Sequence, residues 1–138
     1  MGTDNCKQLN LLLVDGVNTP QALTATLTDI GAEVDTAGYN KMLAWVDINI
    51  GDSADVTLVA FAETSMDGDV LEWEYPILAV NTTQSGVEGN VFVWTTDEDQ
   101  KTILAIDLDG LIQKIQFQVR CAADQTTGTI DHLYVHLI

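Results

Sequence analysis

Closely spaced acids are the first groups in this chain that could do chemistry. Asp67-Gly68-Asp69, Asp97-Glu98-Asp99 and Asp107-Leu108-Asp109-Gly110 each present hard carboxylate oxygens, the donors that calcium prefers. Asp67, Asp69, Asp97 and Asp99 are therefore the metal-ligand candidates. None of the runs continues into an EF-hand, since after Gly110 the expected bidentate Glu is missing and position 115 is Ile115. The simpler expectation is solvated loop acids and no cofactor, with a structural calcium as the lesser alternative. His132 and His136 share a strand face, but i and i+4 on a strand lie about 13 Å apart, too far to ligate one metal.

Nucleophiles are equally scarce. The only serines, Ser53, Ser65 and Ser85, fall in turn-like contexts, and none sits in a Gly-x-Ser-x-Gly elbow. Cys121 lies on the inward face of a strand and reads as a small core residue. Cys6 and Cys121 are 115 positions apart and form no disulfide framework, so both are expected as thiols. There is no phosphate-cradling glycine loop and no Cys-x-x-Cys. Carboxylate pairs could be assembled from 21 acids, but that abundance makes them uninformative. The chain is expected not to be an enzyme.

Aromatics offer the other kind of site. Trp73 and Tyr75 alternate with Glu72 and Glu74, while Phe92 and Trp94 share a face. Trp73, Tyr75 and Trp94 are thus the candidates for partner contact: exposed, they would stack a sugar ring or anchor a protein. Buried, they would be core, which large aromatics dominate in sandwiches.

The elements that must position these residues are strands. Ile115, Phe117, Val119 and Cys121 alternate with Lys114, Gln116, Gln118 and Arg120, the period of two that a half-buried strand requires. Leu133, Val135 and Leu137 alternate likewise with His132, Tyr134 and His136. Met42 to Ile50 and Val56 to Ala62 are apolar on both faces at several positions, which predicts deeper strands, joined by a hairpin at Gly51–Asp55. Further strands are expected at Leu9–Val14, Ala22–Thr28, Val70–Tyr75, Val91–Thr96 and Thr102–Leu108. Asp15-Gly16, Ile30-Gly31, Ala37-Gly38, Asp67-Gly68 and Asp109-Gly110 are among the turn signals between them. The prediction is an all-β, antiparallel, jelly-roll-like β-sandwich of about eight to nine strands, with residues 1–138 in a single domain.

Composition bounds the partners. The 138 residues carry five Lys+Arg against 21 Asp+Glu, a formal charge of −16. Lys7, Lys41, Lys101, Lys114 and Arg120 are scattered, which argues against nucleic acid and against anionic membranes. The apolar run Leu11-Leu12-Leu13-Val14 is far shorter than a signal-peptide core, and synthesis in a cytosol is expected.

The stretch Asp35-Thr36-Ala37-Gly38-Tyr39, Leu43 to Ile50, Gly51-Asp52-Ser53 and Ser65-Met66-Asp67-Gly68 resembles small virion proteins of tailed bacteriophages. Their pattern runs from a DT-x-GY start through an apolar strand and a GDS hairpin to a strand ending in S-x-DG, with an aromatic following that Trp73 would supply. The stretch from Ile115 to the end is similar to their closing strands. The resemblance implies a capsid decoration or cement protein on the outer surface of the virion, made in the host cytoplasm. Its partner would be the shell of major capsid protein, and threefold positions on an icosahedral shell would favour a homotrimer. The alternative is a carbohydrate-binding β-sandwich module of a tail or fibre appendage. An exposed aromatic platform would speak for the carbohydrate module; buried aromatics and a broad apolar surface would speak for cement.

Overall fold

In the computed structural model, the described residues are 6–51, 56–66, 71–74, 78–79, 86–88, 91–108, 112–121 and 127–138. They contain strands and no helix. In chain order the strands are β1 (Lys7–Asn10), β2 (Leu13–Val14), β3 (Val17–Asn18), β4 (Gln21–Ala22), β5 (Thr28–Asp35), β6 (Lys41–Asn49) and β7 (Val56–Met66). They continue as β8 (Leu71–Glu74), β9 (Leu78–Ala79), β10 (Gly86–Glu88), β11 (Val91–Thr96), β12 (Gln100–Asp107), β13 (Lys114–Arg120) and β14 (Thr129–Leu137). All pairings are antiparallel. The count exceeds the expected eight to nine because several edge strands are only two or three residues long.

Two sheets of six strands face each other. The first runs β1-β14-β6-β12-β9, with β4 also on β14; the second runs β10-β11-β7-β13-β5, with β8 also on β7. Met42, Ala44, Val46 and Ile48 of β6 join Leu133, Val135 and Leu137 of β14 on the inner face of the first sheet. They meet Ile30 and Val34 of β5, Leu58 and Ala60 of β7, and Ile115, Phe117 and Val119 of β13 in one continuous core. Burial of the Val, Leu, Ile, Met and Phe side chains among them, each worth about 1.5–3 kcal/mol against exposure, is what holds the layers together.

Only one of the two strands expected to lie deep does so. Val56 to Ala60 are buried without interruption, whereas β6 alternates strictly between buried and more exposed positions. Lys41, Leu43, Trp45, Asp47 and Asn49 therefore form an outer face.

The stretch from Ala22 to Asp35 also differs from expectation. The strand expected at Ala22–Thr28 is reduced to β4, and Ile30-Gly31, read as a turn, lies inside β5. The reason is a wide bulge: Ile115 pairs Val34 while Phe117 pairs Ile30, so Gln116 alone faces Gly31, Ala32 and Glu33. Gln116 Nε2 donates to the carbonyls of Phe117 at 2.9 Å and Gly31 at 3.3 Å, and lies 3.5 Å from that of Ile30. A residue that alternation assigns to the surface thus serves the interrupted ladder. Gln116→Ala is expected to cost about 0.5–1.5 kcal/mol, above the few tenths of a bare surface change, as a urea titration would measure. A cost near zero would show that water replaces the amide fully.

Candidate functional site

The outer face of the first sheet collects exposed aromatic rings. Register places Tyr134 of β14 opposite Trp45 of β6, and His132 opposite Asp47. On the far side of β6, Trp45 pairs Ile103 and Asp47 pairs Lys101. On the far side of β14, Tyr134 pairs Asn10 and His136 pairs Gln8. Period-two alternation then brings these side chains to one surface, because their neighbours Ala44, Val46, Leu133 and Val135 are buried. Trp45 remains 46% exposed and Tyr134 42%.

The His132 and Tyr134 rings are held rather than loose. His132 and Tyr134, at i and i+2, stack with centroids 5.4 Å apart and planes inclined by 27°. Asp47 Oδ2 lies 2.9 Å from His132 Nδ1, which fixes the imidazole orientation and leaves Nε2 as the ring's other hydrogen-bonding position. The pair is partly solvated, so it orients more than it stabilises. Two shallow depressions flank the Trp45–Tyr134 pair. One, of about 380 Å³, is bordered by Gln8, Asn10 and His136; the other, of about 450 Å³, by Asp47, Lys101 and His132.

A second exposed feature is the β2–β3 hairpin. Asp15 and Gly16 both have positive φ, 51° and 81°, the signature of a two-residue type I′ turn. Leu13, Val14 and Val17 on its arms are 51%, 56% and 64% exposed. The hairpin interrupts what would otherwise be one edge strand: β1 pairs residues 134–137 of β14, and β4 pairs Thr129 and Ile130. Its base is fastened by Asn18 Nδ2 donating to the Asp131 carbonyl and by Asn10 Nδ2 donating to Asn18 Oδ1, each at 2.9 Å. Leu12 anchors it in the core, while Leu13 beside it reaches solvent.

The described metal-ligand and partner-contact candidates lie away from this face. Trp94 is 4% exposed and belongs to the core, so it offers no partner contact. Trp73 lies on β8 opposite Thr64, its side chain outside the description, and Tyr75 is outside the described residues. Asp67 and Asp69 are also outside them. Asp97 is exposed, and Asp99 Oδ1 accepts the Ile50 amide at 2.8 Å, tying the end of β6 to the start of β12. Among the described residues no group of three or more His, Cys, Asp or Glu is arranged to hold a metal ion. Cys6 is exposed, Cys121 is buried in the core, and no disulfide joins them.

Trp45 was hidden by its neighbours' hydrophobicity. The available signal was that the odd positions of β6 begin with Lys41 and end with Asp47 and Asn49, which marks their face as the wet one.

Comparison with known proteins adds no relative: no family model, no curated protein and no solved structure matches this chain. The DT-x-GY element itself has an architectural role. The buried Thr36 hydroxyl donates to the Ile112 carbonyl at 2.7 Å, Asp35 accepts the Ala37 amide, and Tyr39 packs on the core.

Proposed function

We propose that this chain is a decoration or cement module that attaches to the outer protein shell of a tailed phage, and that it docks through the β2–β3 hairpin. The resemblance supplies the role. The observation that supports it is the hairpin itself, with three large aliphatic side chains in solvent at a sheet edge. Aliphatic groups offer a sugar nothing to hydrogen-bond, but they suit an apolar recess on a protein. Three hairpins on a homotrimer would act together, since each further contact forms at high effective concentration. A charge of −16 would limit association with packaged DNA.

The test is co-sedimentation with purified shells stripped of accessory proteins. The wild-type chain should rebind and raise the shells' resistance to heat. Leu13→Asp combined with Val17→Asp should reduce binding at least tenfold, an effect of about 1.4 kcal/mol or more, with the circular dichroism spectrum unchanged. Undiminished binding by the double variant would remove the hairpin from the contact. A wild-type chain that ignores shells would refute the role.

The exposed Trp45–Tyr134 pair answers to the carbohydrate alternative instead, and it involves different residues.

A further inference from the structure

We infer that the outer face of the first sheet is a binding site for a neutral saccharide, with Trp45 and Tyr134 as its stacking platform. This goes beyond shell attachment and does not depend on it. Three observations point to that ligand class.

The first is shape. Depressions of about 380 and 450 Å³ lie on either side of the paired rings, each within the roughly 300–1,000 Å³ span of small-ligand sites. Two such hollows, each bordered by both Trp45 and Tyr134, leave room for a sugar ring on either side of the aromatic pair. A flat protein contact has no need of them.

The second is the mixture of groups. Sugar rings present C–H bonds on one face and hydroxyls at the rim. Aromatic faces, with their negative quadrupole, receive the former. Around the platform stand His132, Asp47, Lys101 and His136, able between them to donate to and accept from hydroxyls. His132 is already oriented by Asp47 and by its stack on Tyr134, so little ordering remains to be done on binding.

The third is charge. The chain carries 21 acids and five cations, yet the two depressions beside the platform are balanced, and acids gather in the next hollow along the sheet, where Asp99 and Asp131 join Asp47 and Lys101. One depression is bordered by no Lys, Arg, Asp or Glu, and the other by one Asp and one Lys. A neutral patch on so acidic a molecule fits an uncharged ligand. Anionic glycans would be opposed by the field of the whole chain.

The experiment titrates the full chain with hexasaccharides of glucose, galactose and mannose, and with sialylated and sulfated oligosaccharides, following tryptophan fluorescence and ligand-observed NMR. At least one neutral hexasaccharide should bind with a dissociation constant at or below about 1 mM. Trp45→Ala should weaken it at least tenfold and Tyr134→Ala several-fold, while Trp45→Phe retains much of the affinity. Both side chains are less than half exposed but lie outside the core, so melting temperatures should fall by no more than a few degrees; the hairpin double variant should bind as wild type. No binding by any neutral probe up to about 10 mM would overturn the proposal. So would binding indifferent to Trp45→Ala, or tighter binding of the anionic probes. Loss of shell attachment in Trp45→Ala, with sugars ignored, would make this face a protein contact instead.

Discussion

Phe117→Ala should lower the unfolding free energy by about 3–5 kcal/mol, the range for deleting a fully buried phenylalanine. Among the described residues, Phe117 heads the largest fully buried side chains and is 0% exposed. It sits mid-strand in β13, between Ile30 of β5 and Ala60 of β7, in the sheet position with support on both sides. The cavity left by its ring has little room to collapse, because the facing positions belong to the opposite sheet and are held by their own ladders. Urea denaturation with coincident fluorescence and circular dichroism transitions gives the number. A loss under about 1 kcal/mol, typical of a surface change, would place Phe117 outside the core.

Gly31→Ala should cost about 2–4 kcal/mol, from two contributions that a single atom creates. At φ +65° the backbone is left-handed, which costs a residue with a Cβ about 1–2 kcal/mol. A Cβ here would also lie 2.6 Å from the Leu11 carbonyl oxygen and 3.3 Å from Leu11 Cβ, so the β5 bulge and the segment after β1 would have to separate. Gly16 is the control: its φ is +81°, but a Cβ there meets nothing within 4 Å. Gly16→Ala should therefore show the conformational cost without the steric one, and equal losses at both positions would mean that the Leu11 contact yields freely.

Much of this architecture could be read in the chain. Where it could not, either a strand's own pattern misleads or the pairing is long-range, as with the hairpin expected at Gly51–Asp55, whose flanking strands β6 and β7 lie in different sheets. β13 and β14 were legible because each alternates an apolar and a polar face, the pattern that a sheet with one dry side enforces. β6 was misjudged because Leu43 and Trp45 make its wet face look dry, although the strand obeys the same alternation. β5 was hidden by its bulge, since Gly31 carries a turn's signal inside a ladder. The aromatic platform escaped notice for a related reason. His132, Tyr134 and His136 were recognisable as one face, but their partner Trp45 lies 89 positions from Tyr134 in the chain and meets it only through register. Cross-strand pairing of that kind leaves no local trace.

The interrupted margin of the first sheet bears on life at high density. A strand edge with open amides and carbonyls invites further strands from other copies, and a decorated shell would crowd many copies together. Among the described residues, four stretches of margin resist that. The β1–β4 side is broken by the hairpin, β9 and β10 are two and three residues long, and β5 is bulged and carries exposed Asp29, Glu33 and Asp35. Along these stretches a neighbouring copy would find no long continuous ladder to extend, so close packing there should not lead to strand-by-strand fibre growth.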